Sequence, residues 1–282
     1  MRDDFAIFIL THGRAEKQVT YKALRDAGYT GKVYFVIDNL DEQGEKYKEL
    51  YGDNVIVFDK EKEYSKTDTF TCEKNLLAVV YARNACFEIA KSVGVKWFIN
   101  CDDDIISFFY RVPVDGKLTS VKIKRMDDLI ESFIEFMSCS GVECMSIAAN
   151  GIYVAGAANG KVVDGCQWSF AHFYMFNAES ELRFKSIWLE DLIFSISKQK
   201  LGYKMLSTTL VSQVLPSLEA VQKNQKGGMR DNYESSSNWI NEFTPLITAP
   251  DCLKMVRKDG RWKSRKSKDN FMVKYVSDRW KK

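Results

Sequence analysis

Three consecutive carboxylates, Asp102-Asp103-Asp104, are the residues whose types and spacing point most directly to chemistry. They follow Trp97-Phe98-Ile99, an apolar run that predicts a buried strand. Carboxylates this close repel one another unless a cation lies between them, and their oxygens suit Mg²⁺ or Mn²⁺. Such an ion neutralises a diphosphate, so the triplet indicates a metal–diphosphate site. A polar turn is the alternative, because Asp is common in turns.

A second acidic pair, Glu190-Asp191, follows Ile187-Trp188-Leu189 and opens a predicted helix over residues 190–200. One of the two carboxylates is a candidate general base or a group that orients an acceptor. The structural alternative is equally simple, since acids at the start of a helix are favoured by the helix dipole.

The remaining candidates are single residues. Arg14 and Arg83 suit phosphate or carboxylate because the guanidinium group is a planar donor fork. Asp38 ends a predicted strand and could accept hydrogen bonds from a base or ribose, or it could be a turn residue. The chain has two histidines, His12 at the end of the first predicted strand and His172 in an aromatic strand. We predict that His172 is a packed, hydrogen-bonded residue rather than a metal ligand.

Several common motifs are missing from the sequence. No Cys/His spacing is typical of a zinc site, and neither GxGxxG after the first strand nor GxxxxGK[ST] is present. The nucleophile elbow GxSxG is also missing. The remaining chemistry is metal-assisted handling of a nucleotide diphosphate.

Alternating strand and helix patterns are expected to position these residues. The first three strands and two helices alternate as β-α-β-α-β, which is typical of a parallel sheet covered by helices. Such sheets bind ligands beyond the carboxyl ends of their strands. We predict strands over residues 5–10, 33–37, 55–58, 97–99, 145–149 and 171–176. The predicted helices are 15–27, 42–51, 75–92, 127–139 and 190–200, and the chain from Lys223 onward is polar and loop-like.

Composition restricts the class of protein. The 282 residues are 45% hydrophobic and 13% aromatic, which supplies a core and excludes a disordered chain. The sequence shows neither an apolar membrane span nor a signal peptide, and we expect no membrane partner. Seven cysteines form no CxxC pair, which favours a reducing compartment. We predict one α/β domain over 1–222, with a polar loop and a basic C-terminal segment over 223–282 packed on the same domain.

Charge is distributed unevenly along the chain. Residues 251–282 contain 12 basic and 4 acidic residues, a net charge of +8, whereas residues 1–250 have a net charge of −5. A basic end that also carries aromatic residues favours contact with a polyanion, and a solvated surface segment is the alternative. The predicted DNA-binding residues are Lys263, Arg265, Lys266 and Lys268.

The βαβαβ start, the DxD after the fourth predicted strand and the downstream acidic pair look like a GT-A glycosyltransferase. More specifically, the sequence resembles the bacteriophage TET-associated glycosyltransferases over about residues 7–230. The segments that carry this resemblance occur in family order: Gly13-Arg14, Lys17-Gln18, Thr20-Tyr21, Leu24-Arg25, Gly28-Tyr29-Thr30-Gly31-Lys32, Val36-Ile37-Asp38-Asn39, Val57-Phe58-Asp59-Lys60, Tyr81-Ala82-Arg83-Asn84-Ala85, Asp102-Asp103-Asp104, Glu190-Asp191 and Gly227-Gly228-Met229.

The resemblance implies a role for each matching residue. The nucleotide sugar would be held by Thr11, Arg14, Asp38, Arg83, Asp102 and Asp103. The metal would be bound by Asp104 together with Asp102. The catalytic base would be Asp191 or Glu190. The acceptor loop would contain Gly227, Gly228 and Met229. The implied fold is α/β, a GT-A-like mixed, mostly parallel sheet flanked by helices, with a basic C-terminal extension.

The resemblance also implies an activity. A sugar would move from a nucleotide sugar, UDP-linked, to the hydroxyl of 5-hydroxymethylcytosine in phage DNA, assisted by Mn²⁺ or Mg²⁺, in the cytoplasm of the infected bacterial host. No protein partner is predicted. Two alternatives remain: a GT-A glycosyltransferase with a protein or glycan acceptor, and a non-catalytic nucleic-acid-binding protein.

Overall fold

The structure is a computed structural model that describes residues 1–71, 74–115, 117–149, 162–164, 170–216, 238–258 and 261–266. These residues form twelve strands and seven α-helices. The strands are β1 Phe5–Leu10, β2 Lys32–Asp38, β3 Val55–Phe58, β4 Trp97–Asp102, β5 Ser107–Val114, β6 Lys117–Lys122, β7 Cys144–Ala149, β8 Val162–Asp164, β9 Phe173–Asn177, β10 Met205–Val214, β11 Leu253–Lys258 and β12 Arg261–Lys266. The helices are α1 Val19–Asp26, α2 Gly44–Tyr51, α3 Lys60–Lys66, α4 Val80–Ser92, α5 Met126–Ser140, α6 Glu190–Lys200 and α7 Asn238–Thr248.

Ten of these strands form one sheet in the order β3-β2-β1-β4-β9-β7-β10-β5-β6, with β8 paired to β10. Within this described sheet, β5, β8 and β9 run opposite to the other seven strands. The predicted α/β class with a mixed, mostly parallel sheet flanked by helices is therefore confirmed. The basic C-terminal extension stays a prediction.

The central strand β1 explains how the sheet is held. All six of its residues are buried, as expected of a parallel strand that is covered on both faces. Phe5, Ile7 and Ile9 belong to one apolar core, whereas Ala6, Phe8 and Leu10 belong to the core on the other face. The first core contains α1 and α5, and the second contains α4 and α6.

Several predicted boundaries differ from those in the structure. Helix α1 begins at Val19 rather than residue 15, because Gln18 turns back and donates a hydrogen bond to Thr11 Oγ1. Helix α4 begins at Val80 rather than residue 75, since residues 77–79 line a cavity instead. Helix α3 and strands β5, β6, β8 and β10 were not predicted.

The prediction that the chain is loop-like from Lys223 onward is wrong for residues 238–258 and 261–266. Helix α7 lies there, followed by an antiparallel hairpin of β11 and β12. A small apolar cluster explains the difference, because Leu253 and Cys252 pack with Ile196 of α6 and with Leu246 of α7. None of the described helices is long and apolar enough to cross a membrane.

Candidate active site

A cavity of about 350 Å³ opens at the carboxyl ends of the central parallel strands. Strands β1, β2 and β4 end there with Leu10, Asp38 and Asp102, and Leu10 pairs in register with Asp102. This is the edge at which open α/β sheets bind ligands. All nine residues predicted for the donor site, the metal or catalysis line the cavity: Thr11, Arg14, Asp38, Arg83, Asp102, Asp103, Asp104, Glu190 and Asp191.

Asp103 is a framework residue at the base of this cavity. Its carboxylate accepts hydrogen bonds from Thr11 Oγ1 at 2.7 Å and from Arg14 Nη1 at 2.6 Å. The side chain is buried, and this burial raises its pKa despite the nearby Arg14 guanidinium. Asp103 thus ties the loop after β1 to the loop after β4. The sequence predicted that Thr11, Arg14 and Asp103 hold the nucleotide sugar; the structure brings them together by binding them to one another.

Asp102 has different partners. Its Oδ1 accepts a hydrogen bond from Arg83 Nη2 at 2.9 Å, and its Oδ2 lies 2.6 Å from Nδ1 of His172. Burial opposes ionisation of Asp102, but the Arg83 guanidinium and the His172 ring hold its pKa well below the usual range. Asp102 is therefore an anion whose position is fixed from two sides.

Asp104 lacks such support. Its Oδ1 is buried and has no hydrogen-bond partner among the residues that the structure describes. Burial, and then the charges of Asp102 and Asp103, raise the pKa of Asp104 to about 6. A carboxylate in this environment is costly unless a cation compensates it.

A divalent cation fits the donor set at this point. One ligand atom from each of Asp102, Asp104 and His172 lies within 4.8 Å of the other two. Two carboxylates and an imidazole are ligands that first-row divalent ions accept. The positive charge of such an ion would compensate the buried carboxylate of Asp104. His172 has a left-handed backbone with φ of 63°, a strained conformation for a non-glycine residue. The predicted hydrogen bond of His172 is present, to Asp102. The sequence did not predict that His172 lies beside both Asp102 and Asp104.

The acidic pair at the start of α6 divides into two environments. Glu190 is buried and its Oε1 lies 3.4 Å from Arg83 Nε. Burial, and then repulsion from Asp191, raise the pKa of Glu190 to about 7. Asp191 is half-buried and faces the cavity. Leu189, which precedes the pair, has a left-handed φ of 48°, so a strained turn presents the two acids to different surroundings.

Arg83 links the two groups of acids. It is 3% exposed, it contacts Asp102 and Glu190, and its guanidinium carbon lies 4.9 Å from the centre of the Tyr174 ring. The two carboxylates raise the pKa of Arg83 against the effect of burial. The guanidinium group therefore stays charged and joins the end of the cavity that contains Asp102 to the acidic pair.

The far end of the cavity contains Asp38. Its carboxylate accepts a hydrogen bond from Lys60 Nζ at 2.9 Å and lies 2.8 Å from Nδ1 of His12. Burial opposes ionisation, but these two partners lower the pKa of Asp38 to about 2. Residues 77–79 and Phe58 form an apolar wall beside it. Lys60 was not predicted as a site residue, although it directly follows strand β3 and Asp59.

Three of the four predicted DNA-binding residues lie in the C-terminal hairpin. Lys263, Arg265 and Lys266 lie in β12 of the hairpin. Lys268 and the predicted acceptor-loop residues Gly227, Gly228 and Met229 lie outside the described residues.

Comparison with known proteins gives one family and two distant structures. The profile of a family described as TET-Associated Glycosyltransferase matches residues 5–222. No curated protein matches the chain. S. aureus TarS, residues 1–349, is 13% identical with a TM-score of 0.42, and covers 74% of this chain and 59% of TarS. GalNAc-T7, crystallised with UDP, GalNAc and Mn²⁺, is 10% identical with a TM-score of 0.39. That alignment covers 75% of this chain and 43% of the GalNAc-T7 chain. This chain therefore spans less than two thirds of either structure.

Proposed function

This chain belongs to the TET-associated glycosyltransferase family, and we propose that it transfers a sugar from a UDP-sugar to the hydroxyl of 5-hydroxymethylcytosine in DNA. One arrangement carries this proposal: the carboxylates of Asp102 and Asp104 lie with His172 at the strand ends, in a cavity of the size that binds small molecules. The setting that we propose is the cytoplasm of an infected bacterial host.

Donor binding follows from the charges in the cavity. Asp104 and Asp102 would hold Mn²⁺ or Mg²⁺ together with His172, and the ion would supply charge stabilisation for the departing diphosphate. Arg83 holds Asp102 in place as an anion. Asp38, supported by Lys60, lies beside the apolar wall and would accept hydrogen bonds from the base or ribose of the nucleotide.

The acceptor end of the reaction needs a base. An alcohol is a weak nucleophile at neutral pH, so a carboxylate has to take its proton as it attacks. The acceptor oxygen forms a bond to the anomeric carbon of the sugar, and the bond from that carbon to the diphosphate oxygen breaks. Both acids line the cavity, and we assign the proton to Asp191, because Asp191 is half-buried whereas Glu190 is buried against Arg83.

A DNA acceptor is supported by the family and by the basic C-terminal segment. A hydroxymethyl group on a stacked cytosine does not reach the floor of a cavity, so the nucleotide would flip out of the duplex. Non-specific phosphate contacts would hold the rest of the DNA and make its affinity dependent on salt.

The test is a transfer assay with a panel of UDP-sugars and duplexes that contain either cytosine or 5-hydroxymethylcytosine. We expect mass addition of one sugar per modified base, dependent on Mn²⁺ or Mg²⁺, and none on the unmodified duplex. Transfer to a protein or glycan acceptor with no competition by DNA would contradict the DNA acceptor. Absence of UDP binding with either metal ion would contradict the donor.

A further inference from the structure

The hairpin of β11 and β12 separates its residues by charge. Residues directly opposite in an antiparallel pair share one face of the sheet, and successive residues alternate between faces. The register pairs Lys254 with Arg265, Val256 with Lys263, and Lys258 with Arg261. These six positions define one face, which we call the basic face, and five of them are Lys or Arg: Lys254, Lys258, Arg261, Lys263 and Arg265.

The opposite face has another composition. There the register pairs Leu253 with Lys266, Met255 with Ser264, and Arg257 with Trp262. Leu253 is 4% exposed and packs with Ile196 of α6 and Leu246 of α7, whereas Lys254 on the basic face is exposed. Leu253 therefore attaches β11 to the protein on one face of the hairpin, and the next residue, Lys254, begins the basic face and is exposed.

The basic face has an unfavourable charge pattern by itself. Lys254 and Lys258 both lie directly opposite an arginine, and like charges in that position destabilise a sheet. Neither strand contains an Asp or Glu that could compensate them. A strand pair that places five basic residues on one face, with no acid in either strand, is one that a polyanion would stabilise.

The attachment of the hairpin relates this face to the cavity. Helix α6 begins with Glu190 and Asp191, and its later residue Ile196 contacts the Leu253 cluster. Asp251 just before the hairpin also bonds to Lys200 at the end of α6. An α-helix of this length spans about 16 Å, which is about five base-pair steps along DNA.

We propose that the basic face of the β11–β12 hairpin contacts the phosphate backbone of the DNA while the modified base occupies the cavity, an inference that rests on the proposed function. Alternate residues in a strand lie about 6.8 Å apart, the rise of two nucleotides along one DNA strand. A two-stranded ribbon of this kind also fits the width of the major groove. The basic residues of the opposite face, Arg257 and Lys266, do not take part.

Two double variants with the same change in charge test the proposal. Lys254→Glu/Arg265→Glu reverses a directly opposed pair on the basic face and replaces one like-charge pair by another, so the cost to the hairpin is matched. Arg257→Glu/Lys266→Glu makes the same change in net charge on the opposite face, at two positions that do not pair with each other. The probe is a fluorescent duplex with one 5-hydroxymethylcytosine, and its Kd is measured by anisotropy between about 50 and 200 mM salt.

We expect the basic-face variant to raise the Kd at least about tenfold and to reduce the salt slope by about 1.8, the loss of two phosphate contacts. The control variant should change the Kd less than about threefold, since its positions make no such contact. Calorimetric UDP binding with Mn²⁺ should be the same for both variants, which shows that they are folded.

Equal loss of DNA affinity in the two variants, or no loss in either, would overturn the role of the basic face. If either result is obtained and the unaltered chain still transfers sugar, the proposed function is not contradicted. Absence of transfer by the unaltered chain, with any UDP-sugar, would instead contradict the proposed function, whatever the hairpin variants do.

Discussion

Three adjacent aspartates have three different environments in this protein. Asp103 is bound by Thr11 and Arg14, Asp102 is bound by Arg83 and His172, and Asp104 has an unpartnered buried oxygen among the described residues. The three carboxylates are thus a structural group, a fixed anion and a group that no described side chain compensates. Substitutions at the three positions are expected to affect loop structure, donor geometry and metal binding respectively.

At the acidic pair, we predict that Asp191→Asn lowers kcat by about 10²- to 10⁴-fold, the usual contribution of a general base. UDP affinity should be unchanged, because Asp191 has no place in donor binding. Glu190→Gln should lower kcat less than about tenfold, since an amide oxygen can still accept from Arg83 Nε. Steady-state kinetics and calorimetry on both variants provide the measurement, and a larger kcat loss in Glu190→Gln would reverse the assignment.

The raised pKa of Glu190 also predicts a pH dependence of stability. Its pKa is about 7 in the folded state, against an ordinary value of 4.5. Between these values the folded chain holds a proton that the unfolded chain has released, so stability falls as the pH rises. Between pH 5 and pH 8, the free energy of unfolding of the unaltered chain should therefore fall by on the order of 1–3 kcal/mol relative to that of Glu190→Gln. Urea unfolding of both proteins at the two pH values measures this, and a constant difference would refute it.

At the scale of elements, short connections place the strand ends at one edge. Helix α1 ends with two backbone hydrogen bonds, from Gly28 to Arg25 and from Tyr29 to Leu24. Gly28 has φ of 84°, and an added Cβ would lie 2.1 Å from the carbonyl oxygen of Lys124. The chain therefore passes the segment before α5 at a distance that only glycine permits, which brings β2 beside β1.

This close approach leads to a prediction at Gly28. Gly28→Ala should destabilise the protein by about 2 kcal/mol or more beyond the same substitution at Gly94. Gly94 ends α4 with the same two hydrogen bonds and φ of 71°, but an added Cβ there meets no atom within 4 Å. Both variants place an alanine in a left-handed conformation, at a similar cost in stability. The difference between their free energies of unfolding in urea therefore measures the steric clash at Gly28. Equal destabilisation would show that the loop before α5 moves aside freely.

At the scale of the whole molecule, the cavity borders the apolar core that contains α4 and α6. Leu10 of β1 and Ala78 belong to the core that contains α4 and α6, and Arg83 of α4 reaches the acids of β4 and α6. A ligand in the cavity contacts elements that are far apart in the sequence. Binding should therefore stabilise the fold as a unit rather than order one loop.

We predict that UDP and Mn²⁺ together raise the unfolding temperature by about 5–10 °C at about a hundred times the Kd, and that either alone has a smaller effect. Two ligands that contact each other stabilise one another's complex, which is why the combination matters. Asp104→Asn should remove the contribution of the metal ion, while the exposed residue Asp53, changed to Asn, serves as a control. Thermal unfolding gives the measurement, and a metal effect that survives in Asp104→Asn would place the ion elsewhere.

Local patterns in the sequence were sufficient for much of the architecture. The bounds of β1, β3 and α6 agree with the prediction, because a continuous apolar run or a helix opened by acids is a local signal. Strand β10 was missed, since its Ser and Thr residues resemble a loop until neighbouring strands bury them and satisfy their backbone. The polar C-terminal hairpin was missed because its attachment depends on contacts of Leu253 with the distant residues Ile196 and Leu246.

The sequence by itself determined which residue types stand at the strand ends, and therefore the class of chemistry. Only the tertiary structure decided how they divide the work. Arg83 meets Glu190 across 107 positions and Asp102 meets His172 across 70, distances over which no periodicity carries information. Burial and partners, which exist only after folding, set the charge of each carboxylate, so the two acids of Glu190-Asp191 became distinguishable only in three dimensions.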